Sequence, residues 1–161
     1  LARLDDDRAA VRRSGSVDLT TVAAAAVARP GRRLPVTLAD PANPVVVRAG
    51  EDAVVRMLDN LLSNADRHAT TAVRVSVCAE DGAGTVTVSD DGPGIPAAER
   101  SRVFERFARL DGSRAQDSGG SGLGLAIVRQ LAQSFGGSVE LQDAEPGLRA
   151  VVRLPLVPDR R

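Results

Sequence analysis

Apolar residues alternate with polar ones over Val73, Val75 and Val77 and again over Val86 and Val88, a period of two that predicts strands with one buried face. Asp81, Gly82, Ala83 and Gly84 lie between the two runs and predict a hairpin turn, so the second strand, Thr85 to Asp90, is expected to return antiparallel to the first. Continued past Val88, the alternation carries the Asp90 carboxylate to the face of the valines. Buried carboxylates need donors, so Asp90 is expected either to be hydrogen-bonded internally or to await the N–H groups of a ligand. Behind it, Gly92, Pro93 and Gly94 let a backbone approach a flat ligand closely, since no Cβ intervenes and positive φ carries little penalty. A surface turn that caps a strand is the other reading of the same residues.

Elsewhere the period lengthens to that of a helix. From Glu51 to about Ala69, the residues Val54, Leu58, Leu61 and Ala65 recur at spacings of four, three and four and form one apolar stripe. Asn60 and Asn64 stand one above the other beside it, with Arg67 and His68 a turn later. The pair fits a solvated or internally bonded face, or a ligand site. Leu19 to Ala28 reads as a helix capped by Asp18 and ended by Pro30 and Gly31, followed by short strands over Leu34, Val36 and Leu38 and over Val45 to Arg48. After Pro96, a short helix around Ala97 to Arg102 leads to Phe104 and Phe107, which fit either a clamp for the base of a lid or a plain amphipathic helix end. Residues 111–121 lack periodicity and predict a mobile loop. Gly119, Gly120, Gly122 and Gly124 then precede a helix expected to bury Ile127, Leu131 and Phe135. The N–H groups at its start suit an anion, and a hinge with tight packing is the alternative. Strands over Ser138 to Asp143 and Leu148 to Pro155, joined at Pro146 and Gly147, close the pattern.

Composition narrows the function classes. At 161 residues one domain suffices, burying about 70% of its unfolded surface. Basic and acidic residues balance at 21 each, which argues against nucleic acid as a partner and requires any phosphate site to be local. Three phenylalanines, with no Trp or Tyr, give no platform for stacking single-stranded bases. Cys78 is the lone cysteine, so no internal disulfide forms, and it is expected to be a small core or surface side chain. The longest wholly apolar run, Val22 to Ala28, is far short of a membrane span, and no signal-peptide pattern opens the chain. A first residue Leu1 and a single Met57 lead to the expectation of a piece of a longer protein. Residues 1–16, LARLDDDR followed by a Ser14–Gly15–Ser16 run, read as a helix remnant and linker ahead of a domain over 17–161.

In chain order the motifs are a stacked asparagine pair on a helix (DNLLSNADRHA), a strand-borne aspartate before glycines (DDGPGIP), a paired-phenylalanine segment (VFERFARLD) and a glycine-rich loop opening a helix (GGSGLGLAIV). Together they resemble the N, G1, F and G2 boxes of the ATP-binding catalytic domain of bacterial sensor histidine kinases, the Bergerat fold shared with gyrase-type ATPases, over roughly residues 17–157. The resemblance implies an α+β fold: a two-layer α/β sandwich with a mixed, mostly antiparallel sheet, three main helices on one face and a mobile ATP lid. It also implies ATP and Mg²⁺. Asp90 would accept from the adenine amino group, Gly92, Gly94 and Ile95 would shape the purine pocket, and His68 and Phe107 would wall it. Asn64 would bind Mg²⁺ through its amide oxygen, with phosphates and water completing the shell. Asn60 would line the same wall and Arg67 would steady the phosphates. Gly120, Gly122, Leu123 and Gly124 would cradle the phosphate tail, and Arg109 would approach the γ-phosphate. Ala108 replaces a commonly aromatic residue, which is expected to loosen lid packing. GPGIPA at 92–97 also fits the G-x-G-x-x-A dinucleotide fingerprint, but Asp90 and Asp91 would repel a pyrophosphate there and no first strand of a doubly wound sheet precedes it.

The resemblance bears on the acceptor as well. Related ATPases carry Glu four residues before the metal-binding Asn, and this chain has Asn60 there. A neutral imidazole attacks without prior deprotonation, so the missing carboxylate favours a histidine acceptor; Asp59, about a third of a turn away, leaves a proton-accepting role open. In the family that histidine sits on a dimerising hairpin preceding the domain, whose last turns LARLDDDR resembles. His68 is read as pocket wall rather than acceptor. Expected partners are the dimerisation/phosphoacceptor domain and a cognate response regulator, with a monomeric fragment, not itself membrane-inserted, forming the cytoplasmic part of a dimeric, membrane-anchored parent. A regulatory module in which ATP drives partner docking is the alternative.

Overall fold

The alternating stretches pair into one sheet in a computed structural model that describes residues 15–39, 43–105 and 124–158. Its strands are β2 (Val36–Leu38), β4 (Val73–Glu80), β5 (Ala83–Asp90), β6 (Ser138–Asp143) and β7 (Leu148–Pro155), in the spatial order β2-β4-β5-β7-β6. Only β2 and β4 run parallel; the other neighbours are antiparallel. Asp81 and Gly82 alone join β4 to β5, with φ of +50° and +75°, the left-handed pair that matches the twist of a tight hairpin. A separate ribbon of β1 (Val17–Asp18) and β3 (Val46–Val47) is tied to the segment just after β7 by a bridge between Val47 and Leu156. β2 and β3 are shorter than the sequence pattern predicts.

Register decides which side chains meet. Val73 faces Asp90, Val75 faces Val88 and Val77 faces Val86, so Asp90 shares the valines' side, as the alternation requires. Three helices cover that side: α1 (Leu19–Ala28), α2 (Glu51–His68) and α3 (Gly124–Ser134). Between the layers Leu19, Met57, Leu58, Leu61, Leu62, Val75, Val128, Val152 and Leu154 are buried. The fold class and the helix layer thus follow the expectation. The opposite side presents Arg74, Ser76, Cys78, Thr87, Ser89, Arg149 and Arg153.

Each helix is fixed at its ends. Asp18 caps α1 by accepting from the Thr20 amide (3.0 Å) and the Thr21 hydroxyl (2.8 Å), and it also accepts from the Val45 amide (3.1 Å), so one carboxylate joins helix and ribbon. Burial would raise its pKa, but the hydrogen bonds outweigh that and lower it. Glu51 and Asp52 in the first turn of α2, and Arg67 and His68 in its last, oppose the helix dipole favourably. α3 departs from expectation. Leu125, Val128 and Ala132 form its buried stripe together with Phe135 beyond its end, while Ile127 and Leu131 are half-buried. Its apolar arc is wide, and packing against both α2 and the β6–β7 side selects the inner edge of that arc. The predicted short helix is two 3₁₀ turns, Ala97–Glu99 and Arg102–Phe104, with the Arg129 guanidinium 5.5 Å from the Phe104 ring centre. Residues 1–14, the loop over 111–121 and Phe107 lie outside the described residues.

Candidate functional site

Asp90 ends β5 with 6% of its surface exposed. Its Oδ1 accepts from the Gly92 amide (2.9 Å) and the Leu148 amide (3.3 Å), while Oδ2 has no partner among the described residues. One oxygen is therefore anchored and the other available, the arrangement suited to accepting from an N–H of an incoming group. The backbone closes tightly around it. A Cβ on Gly92 would collide with the His68 carbonyl oxygen, and one on Gly147 would collide with the Asp90 carbonyl oxygen. Gly147 and Gly94 also have φ of +101° and +72°, where a side chain is strained. Ile95 is half-buried against the core.

Asp91, one residue on, points elsewhere. Its carboxylate accepts from the amides of Thr70 (2.9 Å), Thr71 (3.0 Å) and Ala72 (3.3 Å) and from the Thr71 hydroxyl. These bonds, the Thr71 hydroxyl foremost, hold it well below the usual carboxylate range. The turn after α2 is thereby tied to the end of β5, where Gly92 packs close to the His68 carbonyl.

α2 lays its polar side along the same edge. Asn60 Nδ2 donates to the Arg56 carbonyl (2.8 Å), and its Oδ1 lies 3.3 Å from where a Cβ on Gly124 would stand, so the start of α3 rests on Asn60. Asn64, one turn further and half-buried, has no hydrogen-bond partner among the described residues. Arg67 and His68 are exposed at the helix end. The protein crowding one side of the His68 ring, and then the Arg67 charge, lower its pKa against the opposing pull of Asp90. Asp59 is occupied on the α1 side, paired with Arg29 at 2.7 Å. Asp90, Gly92, Gly94, Asn60, Asn64, Arg67, His68 and Gly124 thus border one edge between α2, β5 and α3; Phe107, Arg109, Gly120, Gly122 and Leu123 lie outside the described residues.

Among the described residues no three His, Cys, Asp or Glu side chains gather as metal ligands. A divalent cation here would have the Asn64 amide oxygen and otherwise non-protein oxygens, a donor set that fits Mg²⁺, which retains water and takes phosphate oxygens readily. Sequence reasoning missed Gly147, the Leu148 amide and the Asp91 clamp. The Pro146–Gly147 turn was visible, but its seat against a carboxylate 58 residues away in the chain leaves no local signal.

Residues 49–158 match the family described as histidine kinase-, DNA gyrase B-, and HSP90-like ATPase. The chain belongs to this family. Sensor protein RstB of Escherichia coli (strain K12) is 47% identical over 92 residues, 57% of this chain and 21% of that protein. Sensor histidine kinase CpxA of the same strain is 38% identical over 117 residues, 72% of this chain and 26% of that protein. Among solved structures, the ATP binding domain of PrrB from Mycobacterium tuberculosis superposes with a TM-score of 0.73 at 30% identity, covering 91% of this chain and 99% of that one. The chain therefore covers only about a quarter or less of these two sensor proteins, 21% and 26%, and nearly all of the PrrB ATP binding domain.

Proposed function

We propose that the domain binds Mg-ATP at the edge between α2, β5 and α3 and serves as the catalytic domain of a sensor histidine kinase, passing the γ-phosphate to a histidine on a dimerising hairpin outside this chain. The single observation that carries the reading is the half-anchored Asp90 carboxylate beside the unengaged Asn64 of α2. Oδ2 of Asp90 accepts from the adenine exocyclic amine, and the tight glycine backbone at Gly92 and Gly94 admits the flat base, with Ile95 and His68 against it. Asn64 would hold Mg²⁺, which would offset the charge of the triphosphate. Arg67 and the first amides of α3 at Gly124 steady the tail; the family resemblance adds Gly120, Gly122 and Leu123 to that cradle, Phe107 to the nucleotide contacts and Arg109 to the γ-phosphate.

In the transfer step an imidazole nitrogen lone pair of the acceptor forms the N–P bond as the bond between the γ-phosphorus and the β,γ-bridging oxygen breaks, leaving ADP. The proton on the other ring nitrogen can then pass to solvent. Positioning and charge neutralisation supply most of such a reaction. No strong base is required, consistent with an amide at Asn60 and with Asp59 engaged by Arg29. Residues 1–16 are read as the remnant of the dimerisation and phosphoacceptor helix with its linker; a response regulator receives the phosphoryl group, and the parent is a membrane-anchored dimer with this domain in the cytoplasm. A relative named as a sensor histidine kinase favours this over a purely regulatory docking module.

The test mixes the chain with a separately produced histidine-bearing hairpin and γ-labelled ATP. Acid-labile, base-stable phosphate on the hairpin is expected, and its absence would overturn the kinase reading. Asn64→Ala should abolish the Mg²⁺-dependent part of ATP binding measured by calorimetry; an unchanged affinity with and without Mg²⁺ would refute the role given to Asn64.

A further inference from the structure

We propose that the sheet side facing away from the helices carries a second site, for a tetrahedral oxyanion of the phosphate or phosphate-monoester class, clamped by Arg74 and Arg149. The register places Thr37, Arg74, Ser89 and Arg149 in one row across β2, β4, β5 and β7. All four line a concavity of about 390 Å³ that also takes in Thr71, Asp90, Asp91 and the β6–β7 turn at Pro146. Arg74 and Arg149 stand on second-neighbour strands, so their Cα atoms are about 10 Å apart, and two guanidiniums of that reach can converge above Ser89.

What singles the pair out is the state of its charges. The third arginine on this side, Arg153, is paired with Glu140 at 3.3 Å, whereas neither Arg74 nor Arg149 has an ion pair or side-chain hydrogen bond among the described residues. Two like charges bracketing one strand repel each other, and a dianion between them removes that repulsion. Asp90 and Asp91 also border the concavity, and their charges oppose an anion there, so the clamp depends on both guanidiniums together. Asp90 turns its side chain to the helix side, and the Asp91 carboxylate is already met by three amides and a hydroxyl. The hydroxyls of Thr37 and Ser89 supply neutral donors between the guanidiniums, whose planar forks suit phosphate oxygens. The volume exceeds that of a bare phosphate, leaving room for a small organic group. The two guanidiniums stand on the sheet side away from Asn64, while the concavity itself reaches Thr71, Asp90 and Asp91 at the nucleotide edge; phosphate binding at Arg74 and Arg149 does not require the kinase reading.

The experiment titrates the isotopically labelled chain with inorganic phosphate, and in parallel with glycerol 3-phosphate, at constant ionic strength, following backbone amides and arginine Nε–H signals. Saturable shifts centred on Arg74, Ser89 and Arg149 are expected. Arg74→Ala and Arg149→Ala should each weaken binding roughly tenfold or more, while Arg153→Ala leaves it unchanged. Arg149→Lys should recover part of the loss, because charge returns without the fork. Tighter binding of the monoester supports an organic phosphate as the ligand, and equal binding supports free phosphate. Linear shifts spread over all arginines, or unchanged affinity in the Arg74→Ala, Arg149→Ala double variant with well-dispersed spectra, would overturn the proposal.

Discussion

Asp90 and Asp91 share one chemistry and are separated by a single peptide bond, yet the pleat sends one into the protein and the other to a surface turn. For Asp90 the anchored Oδ1 fixes the aim of Oδ2. Asp90→Asn presents either an oxygen or an NH₂ group there, and it should erase most of the preference for ATP over GTP, a change read by calorimetry with both nucleotides. For Asp91 the effect is on stability against acid. Its native pKa lies below that of the unfolded chain, so its contribution is complete above about pH 4 and declines as pH falls through the native value, since only the unfolded state takes up the proton first. Urea unfolding of Asp91→Ala is expected to show a weaker loss of stability on acidification below pH 4 than the parent chain shows. The direction of Asp90 was legible in the sequence because Val86 and Val88 set a strict period of two just before it. The donors to both carboxylates were not, because they come from backbone amides brought in by distant turns.

The helix α2 carries three of the proposed nucleotide contacts, Asn64, Arg67 and His68, in its last two turns, and its end is held from outside. Asp66 accepts from the amides of Arg33 and Leu34 (both 3.0 Å), and the Arg33 guanidinium donates to the carbonyls of Asp66 (2.6 Å) and Ala69 (2.7 Å). Those carbonyls belong to the unsatisfied end of a helix, so Arg33 closes the turn on which Arg67 and His68 stand. Arg33→Ala should lower unfolding free energy by about 1.5–3 kcal/mol, measured in urea, and weaken ATP binding although Arg33 touches no ligand. The stripe of α2 was readable because its apolar residues fill a narrow arc. α3 was readable only as a helix, since apolar side chains on most of its circumference leave the choice of buried edge to its neighbours.

Across the whole molecule, the hairpin of β4 and β5 could be read from the Asp81–Gly82 turn, whereas the insertion of β7 between β5 and β6 and the parallel pairing of β2 with β4 could not. Long-range pairing is chosen by the packing of complete layers, which no window of sequence contains. The nucleotide edge joins elements from both halves of the chain, so occupancy should stabilise the fold as a unit. At a free ATP concentration a hundredfold above its dissociation constant, with Mg²⁺ present, unfolding free energy is expected to rise by about 2.7 kcal/mol. Chemical denaturation with and without nucleotide measures it, and Asp90→Asn should reduce the increment at the same concentration.

The amide of Leu148 supplies the second bond that steadies Asp90, and it arrives from the closing hairpin of the domain, beyond every recognisable nucleotide motif. A chain truncated just before Leu148 would keep the full set of ATPase signatures and yet lose both this donor and β7, the strand that joins β5 to β6. Slowed deuterium uptake at that one amide, correspondingly, should register when the base has arrived.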